Sequence, residues 1–145
     1  MFFMASLGLS RPAVGIPRGA GESRLAVFVP AHNEENVIYQ SIKSILRTDY
    51  PSERLNVFVI ADNCTDRTEE LALEAGARVL RRENATLRGK QHALAWAFKQ
   101  IDLDSYDGVV VLDADNRVDS GYFSVIDNHL AAGDKVIQGY VETKN

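Results

Sequence analysis

The sequence has almost no residues that could form covalent or metal cross-links. Cys64 is the one cysteine, so an internal disulfide is excluded, and no cysteine and histidine spacing typical of a metal site occurs. Basic residues are also too few for a nucleic-acid-binding face. There are 16 lysines and arginines against 20 acidic residues, a net charge of −4. Because phosphate backbones select a basic surface, we expect no nucleic acid partner.

Long hydrophobic runs are missing as well. The apolar start of the chain, Met1–Leu9, is far shorter than the roughly 18 residues that a membrane span needs. It also lacks the basic region that opens a signal peptide. We interpret residues 1–23 as a disordered or poorly ordered tail. Residues 24–145 are enough for one globular domain with a single core.

From Leu25 onward, short apolar runs alternate with amphipathic segments. The pattern predicts strands at 25–29, 55–61, 77–80 and 108–112, a fifth strand beginning at 135–138, and helices at 34–47, 66–75, 89–101 and from Asp119 or Ser120 to just before Gly133. Asn33 and Asp66 are predicted helix caps, and Gly76 a helix stop. This alternation predicts an α/β fold, a mostly parallel sheet with helices on both faces.

Polar segments follow three of the predicted strands, at residues 30–34, 62–66 and 113–116. Parallel α/β sheets bind ligands at the carboxyl ends of their strands, where the strand order reverses. In the common order 3-2-1-4, strands 2, 1 and 4 are neighbours. We therefore expect the three polar segments to line one crevice.

Asp113 and Asp115 give the sharpest chemical signal, since two carboxylates follow an apolar strand with one residue between them. Mg²⁺ and Mn²⁺ take oxygen ligands and commonly share them with substrate phosphates. A solvated, aspartate-rich turn is the plain alternative. The nucleophile motif of a haloacid-dehalogenase phosphatase is another, although that motif normally lies near the start of its domain.

The other candidate residues also have two interpretations each. Asp62 is placed to accept a hydrogen bond from a nucleobase imide or, with Asp66, to cap the following helix. Lys90 opens a helix whose N-terminus favours phosphate, so we interpret it as a diphosphate or base contact. Glu35 is interpreted as structural or solvent-exposed, Asp66 as structural, and Arg81 and Arg82 as a solvated charge cluster.

Four motifs in order along the chain resemble those of the family 2 glycosyltransferases, which have the GT-A fold. They are Pro30-Ala31-His32-Asn33-Glu34-Glu35, Asp62-Asn63-Cys64-Thr65-Asp66-Arg67-Thr68, Arg88-Gly89-Lys90 with Ala93-Leu94, and Asp113-Ala114-Asp115. The resemblance runs from Leu25 to about Asn145. It implies a Rossmann-like, nucleotide-sugar-binding domain that transfers a sugar to an acceptor.

The resemblance also implies roles for individual residues. The nucleotide-sugar contacts would come from Pro30, Ala31, His32, Glu34, Asp62, Lys90, Asp113, Ala114 and Asp115. Among these, Asp62 would recognise the base, while Asp115 and Asp113 would bind Mg²⁺ or Mn²⁺ that bridges the diphosphate. A UDP-sugar would be the favoured donor, and the acceptor would be an unknown glycan or lipid.

The sequence departs from the family pattern in three places. Gln91 stands where a second glycine is frequent, and Ala95 stands where an asparagine is frequent. The family's general base lies well downstream of Asp113-Ala114-Asp115, and Glu142 comes too early to match it. We therefore expect a donor-binding domain truncated after about strand 5, nearly inactive alone, with a non-catalytic nucleotide-sugar-binding module as the alternative. The closest subfamily pattern implies a cytoplasmic-side enzyme, attached to a membrane only by segments missing here.

Overall fold

The computed structural model describes residues 21–135 and 137. Its strands are β1 (Leu25–Ala31), β2 (Leu55–Asp62), β3 (Arg78–Arg82) and β4 (Gly108–Val111), and its helices are α1 (Ile38–Leu46), α2 (Thr68–Ala75), α3 (Lys90–Ala97) and α4 (Tyr122–Ala131). Short 3-10 turns at Ser52–Arg54 and Leu103–Ser105 precede β2 and β4. The strands pair in parallel in the order β3-β2-β1-β4. The predicted α/β fold and strand order are confirmed.

The sheet has a hydrophobic layer on each face because side chains alternate along the central strand β1. Val27 and Val29 pack on one face with residues of α1, α2 and α4, whereas Ala26 and Phe28 pack on the other with α3. All four are fully buried. A parallel strand that is covered on both faces has an uninterrupted apolar sequence. That sequence pattern predicted β1.

The first helix begins later than the sequence predicts. Asn33 is not its cap, since α1 starts at Ile38 and Asn33 adopts a left-handed conformation with φ 55°. The amides of Glu34 and Glu35 donate instead to Thr68 Oγ1 and Asp66 Oδ2, across to the start of α2. Because these contacts fix the backbone before α1, that segment does not become part of the helix.

β1 and β3 extend two residues beyond their predicted ends, and β2 extends one. β1 continues through Pro30 to Ala31, and its pairing with β4 stops at Phe28. Proline is tolerated there because the strand has only one neighbour at that point. β3 runs to Arg82 rather than ending at Leu80. The α2 helix starts at Thr68, two residues after Asp66, and stops at Gly76 (φ 106°) as predicted.

The ends of the chain are only partly described. The predicted fifth strand at 135–138 and most of the predicted tail 1–23 lie outside the described residues. Within residues 21–23, the amides of Gly21 and Ser23 donate to the buried carboxylate of Asp127 at 3.0 and 3.1 Å. Tyr50 donates its hydroxyl to the Ser23 carbonyl at 2.8 Å.

Candidate functional site

A cleft of about 310 Å³ opens at the carboxyl ends of β1 and β2, against the N-terminus of α3. Its lining residues are Pro30, Ala31, His32, Glu34, Asp62, Asn63, Arg88, Gly89, Lys90 and Ala93. Six of the nine nucleotide-sugar candidates lie in this lining, and the Asp113–Asp115 segment adjoins it through Lys90. The structure therefore brings the three predicted polar segments to one edge of the sheet.

Asp62 forms a buried ion pair at the floor of the cleft. Arg82 Nη1 donates to Asp62 Oδ1 at 2.5 Å, and both side chains are less than a tenth exposed. Asn63 Nδ2 donates to the same oxygen at 3.1 Å. The interpretation of Arg82 as a solvated charge was wrong, because β3 carries it to the register position beside Asp62. Asp62 does not cap α2, since Asp66 is the residue whose carboxylate contacts that helix start.

The histidine of the first segment is oriented by a backbone contact. His32 Nδ1 lies 2.8 Å from the Asp62 carbonyl oxygen. A carbonyl oxygen can only accept, so Nδ1 carries the proton, and Nε2 of the neutral ring is left as an acceptor. His32 lines the cleft but is an exposed residue.

The acidic residues around the start of α2 have structural contacts. The carboxylate of Asp66 accepts from the amides of Glu35 and Thr68 at 3.1 and 3.0 Å. Burial raises the pKa of Asp66, but the hydrogen bonds from Thr68 and Glu35 outweigh it and leave that pKa below its ordinary value. Glu35 accepts from the Arg67 amide at 3.1 Å. These contacts bear out the structural interpretation of Glu35 and Asp66 and leave Glu34 facing the cleft.

Lys90 and Asp113 form an ion pair that spans from the first residue of α3 to the loop after β4. Both side chains are about half exposed, so solvent and ligands reach them. Gly89 precedes Lys90 with φ 100°, a conformation that L side chains rarely adopt. The glycine thus sets the direction in which α3 leaves the cleft.

The Asp113–Asp115 segment presents two exposed carboxylates on either side of the buried Ala114. The Asn116 amide donates to the Asp113 carbonyl, and Ser41 donates to the Asn116 carbonyl, so the turn is held against α1. Among residues 21–135 and 137, no three metal-binding side chains cluster. The donor set fits Mg²⁺, which proteins often hold with one or two carboxylates plus substrate phosphates and water.

Four cleft residues were missed or left undecided in the sequence: Asn63, Arg88, Gly89 and Ala93. Asn63 has φ 52° and accepts from the Asn84 amide at 2.8 Å. Asparagine tolerates the left-handed region better than most residues, and its place directly after a buried strand was the available signal. Burial raises the pKa of the Cys64 thiol, which disfavours the thiolate form that a nucleophile requires.

Comparison with known proteins identifies the family. Residues 26–144 match the family model described as "Glycosyl transferase family 2". The chain belongs to this family. Its sheet matches the GT-A fold, since the mannosyltransferase from Pyrobaculum calidifontis in complex with GDP-Man and Mn²⁺ superposes with a TM-score of 0.67 at 25% identity. That alignment covers 82% of this chain and 36% of the mannosyltransferase.

Two curated relatives show different extents of overlap with this family 2 glycosyltransferase. "Probable glycosyltransferase YdaM" of Bacillus subtilis (strain 168) is 34% identical over 99 residues, which is 64% of this chain and 23% of YdaM. "Protein RfbJ" of Shigella flexneri is 30% identical over 106 residues, which is 73% of this chain and 75% of RfbJ. The match thus spans about a quarter of YdaM and three quarters of RfbJ. No helix within residues 21–135 has the length and apolar character needed to cross a membrane.

Proposed function

We propose that this chain binds the nucleoside diphosphate of a sugar donor in the cleft and supports sugar transfer to a glycan or lipid acceptor. The observation that carries the proposal is the convergence of three polar segments on one cleft. Asp62 lies at the floor, Lys90 at the N-terminus of α3, and Asp113 at the adjoining loop. This order matches the base, the phosphates and the metal of a nucleotide sugar.

The base would be recognised by the free oxygen of Asp62. Its Oδ1 already accepts from Arg82 and Asn63, and no donor among the described residues reaches Oδ2. One free acceptor matches uracil, which offers a single imide N–H, better than guanine, which offers two adjacent donor groups. This argument favours a UDP-sugar over a GDP-sugar. His32 Nε2 and the Glu34 carboxylate are available to accept from the ribose hydroxyls.

The diphosphate would lie between Lys90 and the Asp113–Asp115 turn. Lys90 contributes a positive charge at a helix N-terminus, where phosphate is favoured. Asp115 and Asp113 would hold Mg²⁺ or Mn²⁺. When bound, that cation neutralises charge on the departing nucleoside diphosphate. Asp113 would then pair with Lys90 in the absence of the donor and would be available to the cation when the donor is bound.

Inverting transfer needs a general base within hydrogen-bond reach of the acceptor hydroxyl. Both acidic residues that line the cleft, Glu34 and Asp62, are assigned to the donor, so we assign no base among the described residues.

We further propose a cytoplasmic-side location, since a single unpaired thiol suits a reducing compartment.

Nucleotide binding measured by calorimetry tests the proposal. Titration of the full chain with UDP, GDP, CDP and ADP in Mn²⁺ should give the highest affinity for UDP. Chelation of the metal should weaken UDP binding by about tenfold or more. Nucleotide binding that is equally tight with and without metal would contradict the metal assignment. Release of phosphate from a generic phosphomonoester, without nucleotide binding, would instead support the phosphatase alternative.

A further inference from the structure

Arg82 places a guanidinium between the floor of the cleft and the segment that leads into α3. Its side chain is only 5% exposed, which is rare for arginine unless it has specific partners. Nη1 donates to Asp62 Oδ1 at 2.5 Å and Nη2 donates to the Leu87 carbonyl at 2.6 Å. One planar group therefore joins the last residue of β2 to a residue three positions before Lys90.

We infer that Arg82 is a positioning residue that couples base recognition by Asp62 to the phosphate contact of Lys90. This inference rests on the proposed function and goes beyond it, because Arg82 does not line the cleft. It acts on the ligand through the residues that it holds.

On the Asp62 side, Arg82 fixes where the free carboxylate oxygen of Asp62 lies. Asp62 and Arg82 are register partners at the last position of the β2–β3 ladder. The strands hold their Cα atoms, and the guanidinium with Asn63 Nδ2 occupies Oδ1. These two donors hold the plane of the carboxylate, so the oxygen that they leave free stays in one position, directed away from them.

On the α3 side, Arg82 joins a second set of contacts, which hold the segment between β3 and α3 at residues 84–87. Asn63 Oδ1 accepts from the Asn84 amide at 2.8 Å. Asn84 Oδ1 in turn accepts from the amides of Thr86 and Leu87 at 3.0 and 2.8 Å. The contacts through Arg82 and the contacts through Asn84 both start from the end of β2, and both reach Leu87. The segment that carries Arg88, Gly89 and Lys90 is thereby tied to the same two residues that present Asp62.

The choice of arginine fits this role. A guanidinium is a planar fork that can donate to two acceptors in fixed directions, whereas a lysine ammonium is a compact charge on a flexible stem. Burying an ion pair costs desolvation free energy, and a well-packed apolar pair is often equally stable. The stability of the fold therefore does not require this ion pair. Holding Asp62 and Lys90 in a fixed geometry for the ligand does require it.

The test compares three variants by their affinities for UDP, GDP and uridine in Mn²⁺. Arg82→Lys keeps a cation for Asp62 but not the fork that also reaches Leu87. Arg82→Met removes both contacts. Arg81→Met is the matched control, because Arg81 is the neighbouring β3 residue, 64% exposed and paired only with Glu83 and Glu69 among the described residues. Thermal unfolding of each variant establishes that it is folded.

Ratios of affinities are the deciding readout, since unfolded molecules lower the active concentration for every ligand equally. We expect Arg82→Lys to keep the UDP preference over GDP within about threefold, while the gain in affinity from uridine to UDP falls at least about fivefold. Arg82→Met should reduce both ratios, and Arg81→Met neither. If Arg82→Met does not fold, the Arg82→Lys ratios decide.

Two outcomes would overturn the inference, and they are distinguishable. Wild-type binding with both ratios unchanged in every folded Arg82 variant would overturn the positioning role alone. A wild-type chain that binds none of the three ligands would overturn the proposed function, and the positioning role with it.

Discussion

Lys90 and Asp113 form an ion pair that links the N-terminus of α3 to the loop after β4, across the mouth of the cleft. They are 23 positions apart in sequence and belong to two of the motifs that identify the family. A bound nucleotide and its metal would replace this ion pair with two separate contacts. The phosphates would contact Lys90, and the metal would bind Asp113.

Lys90→Met should therefore weaken UDP binding by about tenfold and leave uridine binding nearly unchanged, because only UDP carries the phosphates. The ion pair is about half exposed, so its loss should change the free energy of unfolding by less than about 1 kcal/mol. Calorimetry and thermal unfolding measure the two effects. Lys99→Met, at an exposed lysine beyond α3, is the control. An equal loss for uridine and UDP would show that Lys90 does not act on the phosphates.

Asp115→Ala should abolish most of the metal dependence of UDP binding, since it removes one of the two exposed carboxylates of the turn. We expect UDP affinity in Mn²⁺ to fall to the level measured with chelator. Direct Mn²⁺ binding, followed by electron paramagnetic resonance, should weaken in parallel. Asp119→Asn changes an exposed carboxylate four positions on and should leave both measurements unchanged. A normal metal response in Asp115→Ala would exclude Asp115 as a ligand.

Gly89→Ala tests whether the backbone before α3 directs Lys90. Apart from its own chain neighbours, no heavy atom lies within 4 Å of the added methyl group, so any cost comes from the φ of 100°. With ψ 160° as well, this backbone lies in an extended region that is nearly exclusive to glycine, and an L side chain there costs about 1–3 kcal/mol. We expect a loss of stability of that size, and a fall in UDP affinity of several-fold as Lys90 shifts.

Gly121→Ala is the matched control for that substitution. Gly121 also has open space around its missing Cβ, but its φ is −86°. Alanine should be accepted there with no loss of UDP affinity. Equal effects of the two alanines on UDP binding would contradict the role given to the Gly89 conformation.

The sheet and the position of the cleft could be predicted from sequence because both depend on local patterns. Apolar runs with intervening helices predicted β1 to β4, and polar residues directly after strands predicted the lining of the cleft. Asp66 was predicted as the cap of α2 because Glu69 follows three residues later; its carboxylate does accept from the Thr68 amide, although Arg67 holds the N-cap position. These features need only neighbouring residues and the general topology of parallel sheets.

Arg82 could not be predicted because its partner is 20 positions away. Its sequence neighbours are charged, which is typical of an exposed loop, and only the β2–β3 register places it beside Asp62. The late start of α1 has a similar cause. Glu34 and Glu35 suit a helix start, but their amides are taken by residues from another segment, Thr68 and Asp66.

Asp127 provides a test of how the described N-terminal segment is held. Its carboxylate is 3% exposed and accepts from the amides of Gly21 and Ser23. Burial raises the pKa of Asp127, but the hydrogen bonds from Ser23 and Gly21 outweigh it, so that pKa lies below its ordinary value of 3.8. The folded state therefore binds this proton less readily than the unfolded state.

The sign of the pH effect follows from that depressed pKa. The stabilisation by Asp127 is fully present above the unfolded pKa, near 3.8, and is lost as the pH falls through the lower folded value. Asp127→Asn should cost about 1–3 kcal/mol at neutral pH, because one charge-assisted contact is replaced by an amide that faces a donor. The cost should shrink as the pH falls below about 4, since wild type then loses the same contact.

Denaturant unfolding of wild type and Asp127→Asn between pH 7 and pH 2.5 measures this difference. Asp104→Asn, at an exposed aspartate in the turn before β4, controls for the change in net charge. UDP binding at neutral pH should be unaffected in both variants while they remain folded, because Asp127 lies on α4, outside the cleft lining. A destabilisation by Asp127→Asn that stays constant down to pH 2.5 would mean that its carboxylate charge does not hold Gly21 and Ser23.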